Sequence, residues 1–154
     1  MPVFSRVWYK PGTTVPDPDG LRTNGPALQV EIRVPATLAA ALQRGGLSVP
    51  PPHVGYGLID TGASINAVDL PVLQGLELNP TGFVPIATPG GTVQQPVFAC
   101  DMAFPGTPIP VVLLNFVVGS QVGALGYAAL IGRDILTHFQ LVYNGVEGIW
   151  TLAF

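Results

Sequence analysis

A turn-rich, all-β single domain is the fold class this chain predicts, and three observations predict it. Glycine and proline are abundant, 19 and 17 of 154 residues, which interrupts the chain too often for a helical bundle. Apolar residues make up 48% and charged ones only 10%, enough for a sizeable core in a chain of one-domain length. Apolar and polar residues also alternate at the two-residue period of a half-buried strand in several places.

Residues 1–26 differ from the rest of the chain. They carry Arg6, Lys10 and Arg22 and a turn-rich stretch from Pro16 through Asp17, Pro18 and Asp19 to Gly20. They are expected to form an N-terminal extension with one strand across residues 3–9, and residues 27–154 the domain itself. Residues 28–34 set Leu28, Val30, Ile32 and Val34 against Gln29, Glu31 and Arg33, a strand with one buried face. The Ala- and Leu-rich run 36–44 stops at Gly45 and Gly46, which predicts a short helix ending on a left-handed glycine. Pro50, Pro51 and Pro52 exclude regular structure after it. An apolar strand then runs into Asp60, Thr61 and Gly62.

Asp69 is placed to cap a short helix over residues 70–76. Two strands are expected to meet in a hairpin at Thr88, Pro89, Gly90 and Gly91. Residues 93–104 and 109–118 form further strands split by a turn at Pro105 and Gly106. Residues 139–143 and 149–154 flank Asn144 and Gly145 as a closing hairpin. No internal repeat is evident.

Several function classes are disfavoured. A net charge of −3 with scattered Lys and Arg gives no footprint for nucleic acid. The longest strongly apolar run, residues 109–118, is broken by Pro110 and Asn115 and falls far short of a membrane span. The N-terminus lacks the basic, apolar and small-residue sequence of a secretory signal, and Cys100 is the single cysteine, so a cytoplasmic location is the expectation. His53 and His138 lack metal-ligand spacing, and neither metal nor cofactor is expected. No serine sits in a GxSxG elbow, and Cys100 reads as a small buried side chain. Mean hydropathy of +0.47 is high for a soluble monomer, which a large self-association surface would explain.

Chemistry concentrates in three segments: Asp60, Thr61, Gly62, Ala63 and Ser64 after their apolar strand; the Pro/Gly-centred Thr88, Pro89, Gly90, Gly91 and Thr92; and the run Ala129, Leu130, Ile131, Gly132, Arg133, Asp134, Ile135 and Leu136. In this order they resemble the retropepsin-like aspartic peptidases, single-domain relatives of the retroviral proteases, over roughly residues 27–154. The resemblance implies an acid-protease fold, a closed β-barrel or sandwich with one or two short helices, working as a homodimer on a peptide or protein substrate.

It also implies roles. Asp60 would be the catalytic residue. Two like charges about 3 Å apart cannot both ionise, so a water-activating carboxylate needs a second one sharing its proton. The chain holds the motif once, so the second comes from another copy. Thr61 would hydrogen-bond across the dimer axis, and Gly62 would allow close approach of substrate. Ala63 and Ser64 would line the substrate, with Ser64 where retroviral enzymes usually carry an aspartate that pairs with the arginine corresponding to Arg133. Alanine at 63, without a hydroxyl to stabilise the charged form, implies an optimum only mildly acidic. Thr88, Pro89, Gly90 and Gly91 would form a flap donating backbone N–H groups to the peptide. Ile131, Gly132, Arg133 and Asp134 would pack behind the catalytic loop, with Asp134 placed to cap a short helix. Residues 149–154 are a candidate for a sheet shared between copies. The alternative is a catalytically silent module of the same fold that binds peptides or acts as a scaffold, because a fold does not guarantee chemistry.

Overall fold

The computed structural model describes residues 1–88 and 90–154, apart from the side chain of residue 88. Pro89, expected at the hairpin tip, and the side chain of Thr88 therefore lie outside the described residues. The described chain is mostly strand: β1 (Val3–Val7), β2 (Ala27–Arg33), β3 (His53–Ile59), β4 (Ala67–Asp69), β5 (Gly82–Thr88), β6 (Gly91–Ala103), β7 (Val112–Ser120), β8 (Ala129–Ile131), β9 (Gln140–Asn144) and β10 (Ile149–Ala153). Its helices are α1 (Pro18–Asn24), α2 (Ala36–Arg44), α3 (Leu70–Gly75) and α4 (Arg133–Leu136). One or two short helices were expected; these are four. None is long and apolar enough to cross a membrane.

The larger sheet runs β2-β3-β8-β4-β7-β6-β5 and closes on itself because β6 also pairs with β2. Strand β6 does both by bending. Its register with β7 slips between Phe98 and Cys100, and beyond that bulge Asp101, Met102 and Ala103 pair with Arg33, Ile32 and Glu31. A bulge kinks a strand and increases its twist, which lets one strand turn a barrel corner. Inside lie Leu28, Val30, Ile32, Cys100, Met102 and Val117, all at 0% exposure. The alternation of β2 is as expected, with Gln29 exposed between buried Leu28 and Val30. Opposite it Gly57 has no room for a side chain, since a Cβ there would sit 3.0 Å from both Val30 and Ile131.

Helix α2 spans the expected residues, but Gly46 and not Gly45 is left-handed, at φ 72°. Its free N-terminal N–H at Ala36 donates to Asp101 Oδ2 at 3.0 Å, which fixes the helix to β6 from outside the barrel. Asp69 sits at the start of α3 without a side-chain cap bond; its carboxylate accepts instead from Gly123 N at 2.7 Å. Strand β7 starts at Val112, three residues later than expected, because Pro110 has no N–H for a ladder.

The second sheet has order β1-β10-β9. Trp150 and Leu152 of β10 face the core, and Phe4 meets Trp150 edge-on at 5.6 Å. Residues 1–26 pack onto the rest through β1 and through Leu21 of α1, which is fully buried. Strand β10 is paired on both edges inside its own chain. Within one copy, a shared sheet built on the strand expected there would therefore extend from the outer edges of β1 or β9.

Candidate functional site

Asp60 sits where β3 leaves the sheet. Its strand lies antiparallel to β2 and parallel to β8, and the ladder extends one step further, with Ile59 N donating to Pro26 O at 2.8 Å and Asp60 N to Ile131 O at 3.0 Å. The chain then turns sharply, with Ala63 N donating to Asp60 O at 3.2 Å. Within that turn Gly62 N donates to Asp60 Oδ1 at 2.8 Å. A Cβ at Gly62 would stand 3.0 Å from the same oxygen, so glycine lets the amide reach the carboxylate without crowding it. Asp60 Oδ2 has no protein donor among the described residues. Asp60 and Ala63 are half-buried, and Thr61, Gly62 and Ser64 are exposed.

Behind this loop the order of the sheet matters. Strand β8 lies between β3 and β4, which are consecutive in sequence, so the connection carrying residues 60–66 must cross the end of β8. There Ile131 is buried and Gly132 is pressed against the loop; a Cβ on Gly132 would lie 2.7 Å from the Ile65 carbonyl carbon and oxygen. Asn66, fully buried, accepts from Gly132 N at 2.8 Å and donates through Nδ2 to Asp134 Oδ2 at 2.7 Å. Its own N–H reaches the same Asp134 oxygen at 3.1 Å. The other Asp134 oxygen accepts from Ile135 N at 3.0 Å, so Asp134 serves both the first turn of α4 and the loop.

Arg133 has no carboxylate partner among the described residues. Its N–H donates to Ala63 O at 3.0 Å, and Nη1 donates to Thr61 O at 2.7 Å, with Gly62 O at 3.5 Å. The guanidinium thus collects main-chain carbonyls of the 60–64 loop.

The structure brings residues 60–64 and 131–134 together. Gly90 and Gly91 lie on the β5–β6 hairpin, whose register ends in the pair Thr88 and Gly91. Gly91 has φ 115°, a conformation open to glycine. The shaft of this hairpin reaches towards the loop. Val84 and Ile86 of β5, Ile65 of the loop and Leu130 of β8 all pack on a small apolar cluster of Ala67, Val118 and Val122. Asn66 was missed by sequence reasoning. Its signal is a lone polar residue in the apolar run Ile65, Asn66, Ala67, Val68.

The rest of the surface offers less chemistry. A cleft of about 570 Å³ lies against β7 and α4, lined by Phe116, Phe139 and Phe154 among others, and contains no residue of the 60–64 loop. Among the described residues there is no cluster of three or more His, Cys, Asp and Glu side chains fit for a metal. His53 and His138 are both exposed. Burial, with the neighbouring Asp101 charge adding to it, pushes the Cys100 thiol up to about 12, so it is no nucleophile near neutral pH. No family model and no curated protein matches this chain.

Proposed function

We propose that this chain is a retropepsin-like aspartic endopeptidase whose dyad is completed by Asp60 of a second copy. The observation that carries the reading is the state of Asp60: one oxygen is held by the Gly62 amide while the other is left to a partner or to water. The loop bearing it is fixed from behind by Asn66, Arg133 and Asp134. Such a carboxylate is oriented without being used up, as a group that must meet both a twin and a water requires.

The chemistry rests on the shared proton. Of two facing carboxylates one is ionised and takes a proton from water, while the other is protonated and polarises the scissile carbonyl; aspartic peptidases are the standard case. Water oxygen then bonds to the carbonyl carbon. Collapse of the tetrahedral species breaks the C–N bond as the amine nitrogen takes up a proton. An apolar wall of Ile65, Val84 and Leu130 beside the loop favours apolar side chains flanking the cut bond. The β5–β6 hairpin would supply main-chain donors from above.

The test uses an unfolded protein substrate between mildly acidic and neutral pH. Wild type is expected to cleave it, and Asp60→Asn to lose roughly 10³-fold or more of the rate, on the scale of removing a catalytic base. Light scattering should give both proteins a mass near twice the 16.1 kDa of one chain. An inactive wild type in a confirmed dimer would favour the scaffold reading; cleavage that survives Asp60→Asn would sink the dyad.

A further inference from the structure

Asp60 shares its face of the barrel with an aromatic cleft. Alternate side chains of a strand point to the same side. In β3, Gly57 and Ile59 face the core, so Tyr56 and Leu58 look outward on the side where Asp60 emerges. Beside Tyr56, the side chains of Arg6, Trp8, Leu125 and Tyr127 enclose a cleft of about 380 Å³.

Two of its walls are locked. Trp8 Nε1 donates to Gly25 O at 3.1 Å, and the Tyr127 hydroxyl donates to Asn24 O. Both polar tips are therefore occupied, and these residues present mainly ring faces. Leu125, 64% exposed, adds an uncovered apolar surface. The guanidinium of Arg6 lies 5.5 Å from the centre of the Tyr56 ring. No carboxylate pairs with it among the described residues, whose ion pairs are Arg22 with Asp19 and Arg33 with Glu31.

These groups select the occupant. A purely apolar side chain would strip water from an unpaired guanidinium and return nothing for it. A lysine would be repelled. A glutamate or aspartate offers the guanidinium a charge-assisted hydrogen bond and lays its methylene stem on Tyr56 and Leu125. Tyr56 is four residues before Asp60, roughly 13 Å along an extended chain at about 3.3 Å per residue.

We propose that this cleft is a distal subsite for an acidic side chain of an extended peptide, about four residues from the bond that is cut. The inference rests on the peptidase reading, and it gives residues 1–26 a task, since they supply Arg6 and Trp8 to the substrate face.

The experiment takes a peptide that wild type binds or cleaves and places Glu, Gln or Lys in turn at the third to fifth positions on either side of its centre. At one position Glu is expected to exceed Gln about fivefold in kcat/KM, the scale of a part-exposed ion pair. Arg6→Gln should erase that preference and Arg6→Glu should turn it towards Lys, with near-UV circular dichroism confirming that both variants keep their aromatic packing. Fluorescence anisotropy with Asp60→Asn reads the same discrimination as binding alone. Cleavage without any Glu preference, or a preference that persists in Arg6→Gln, overturns the subsite and leaves the peptidase reading standing. Binding with an Arg6-dependent Glu preference but no cleavage supports the carboxylate site and overturns the peptidase. Neither binding nor cleavage of any peptide overturns both.

Discussion

The two sides of the 60–64 loop are built on opposite terms. Behind it Asn66 is fully buried and bonded at every polar atom: its N–H and side-chain amide donate to Asp134, its side-chain oxygen accepts from Gly132, and its carbonyl accepts from Val118 N at 3.0 Å. In front, Thr61 and Ser64 are exposed, their hydroxyls have no partner among the described residues, and Asp60 holds one side-chain hydrogen bond. The difference teaches where rigidity comes from. Polar groups can stay uncommitted on the open side because a closed network on the other side removes the loop's freedom.

The strongest way to break that comparison is to open the network. Asn66→Ala deletes one donor and one acceptor at a fully buried side chain, stranding the buried Gly132 N–H and weakening the hold on Asp134. The expected loss is about 2–4 kcal/mol, the range for breaking a buried hydrogen-bond network, read as a fall in urea midpoint at unchanged m. A loss under about 1 kcal/mol would mean that water replaces the amide and that the back of the loop is not closed.

Sequence alone went further for the strands than for this network. The alternation of residues 28–34 and the Ala-rich run before Gly45 are local signals, and β2 and α2 stand within a residue of where they were expected. Helix α1 is hidden in the sequence because Pro16, Pro18 and Gly20 dominate its start and Leu21 is its one buried residue, which leaves no period to detect. Strands β4 and β8 span three residues each, too few to show alternation. The carboxylate of Asp69 was assigned to the nearest helix because capping is a local rule, while its actual partner, Gly123, is 54 residues away. Asn66 and Asp134 are 68 residues apart. Resemblance pointed to the segment holding Asp134, but nothing short of the sheet order β3-β8-β4 could pair it with Asn66.

A second probe of intermediate size asks whether the barrel behind the loop is as tight as its hydrogen bonds suggest. Cys100 is fully buried on β6, and its thiol is raised from 9.0 to about 12, chiefly by burial. Because the folded value lies above the unfolded one, the stability tied to the protonated thiol is complete below about pH 9. It is lost as pH rises from 9.0 towards about 12, at no more than about 1.4 kcal/mol per pH unit. The steeper alkaline loss of wild type relative to Cys100→Ala isolates the thiol from other titrating groups. Equal slopes, or rapid reaction of the native thiol with a disulfide reagent, would show that this core admits water.

Arg133 should give the smallest stability change and the most informative one, because it touches both sides. Its backbone belongs to the rear corner, while its exposed side chain holds the carbonyls of Thr61 and Gly62. Exposed hydrogen bonds of this kind are worth about 1 kcal/mol or less, so Arg133→Ala should unfold at nearly the wild-type urea concentration. Its effect belongs in the geometry of the front. With the carbonyls released, the Gly62 amide loses its fixed direction towards Asp60, and in the proposed peptidase kcat should fall more than KM changes, since orientation and not affinity is disturbed. Arg133→Lys, which can reach one carbonyl but cannot present a planar fork, should restore only part of that loss. Full restoration by lysine would assign the role to charge alone. A stability loss as large as that of Asn66→Ala would erase the division between a rigid back and an open front.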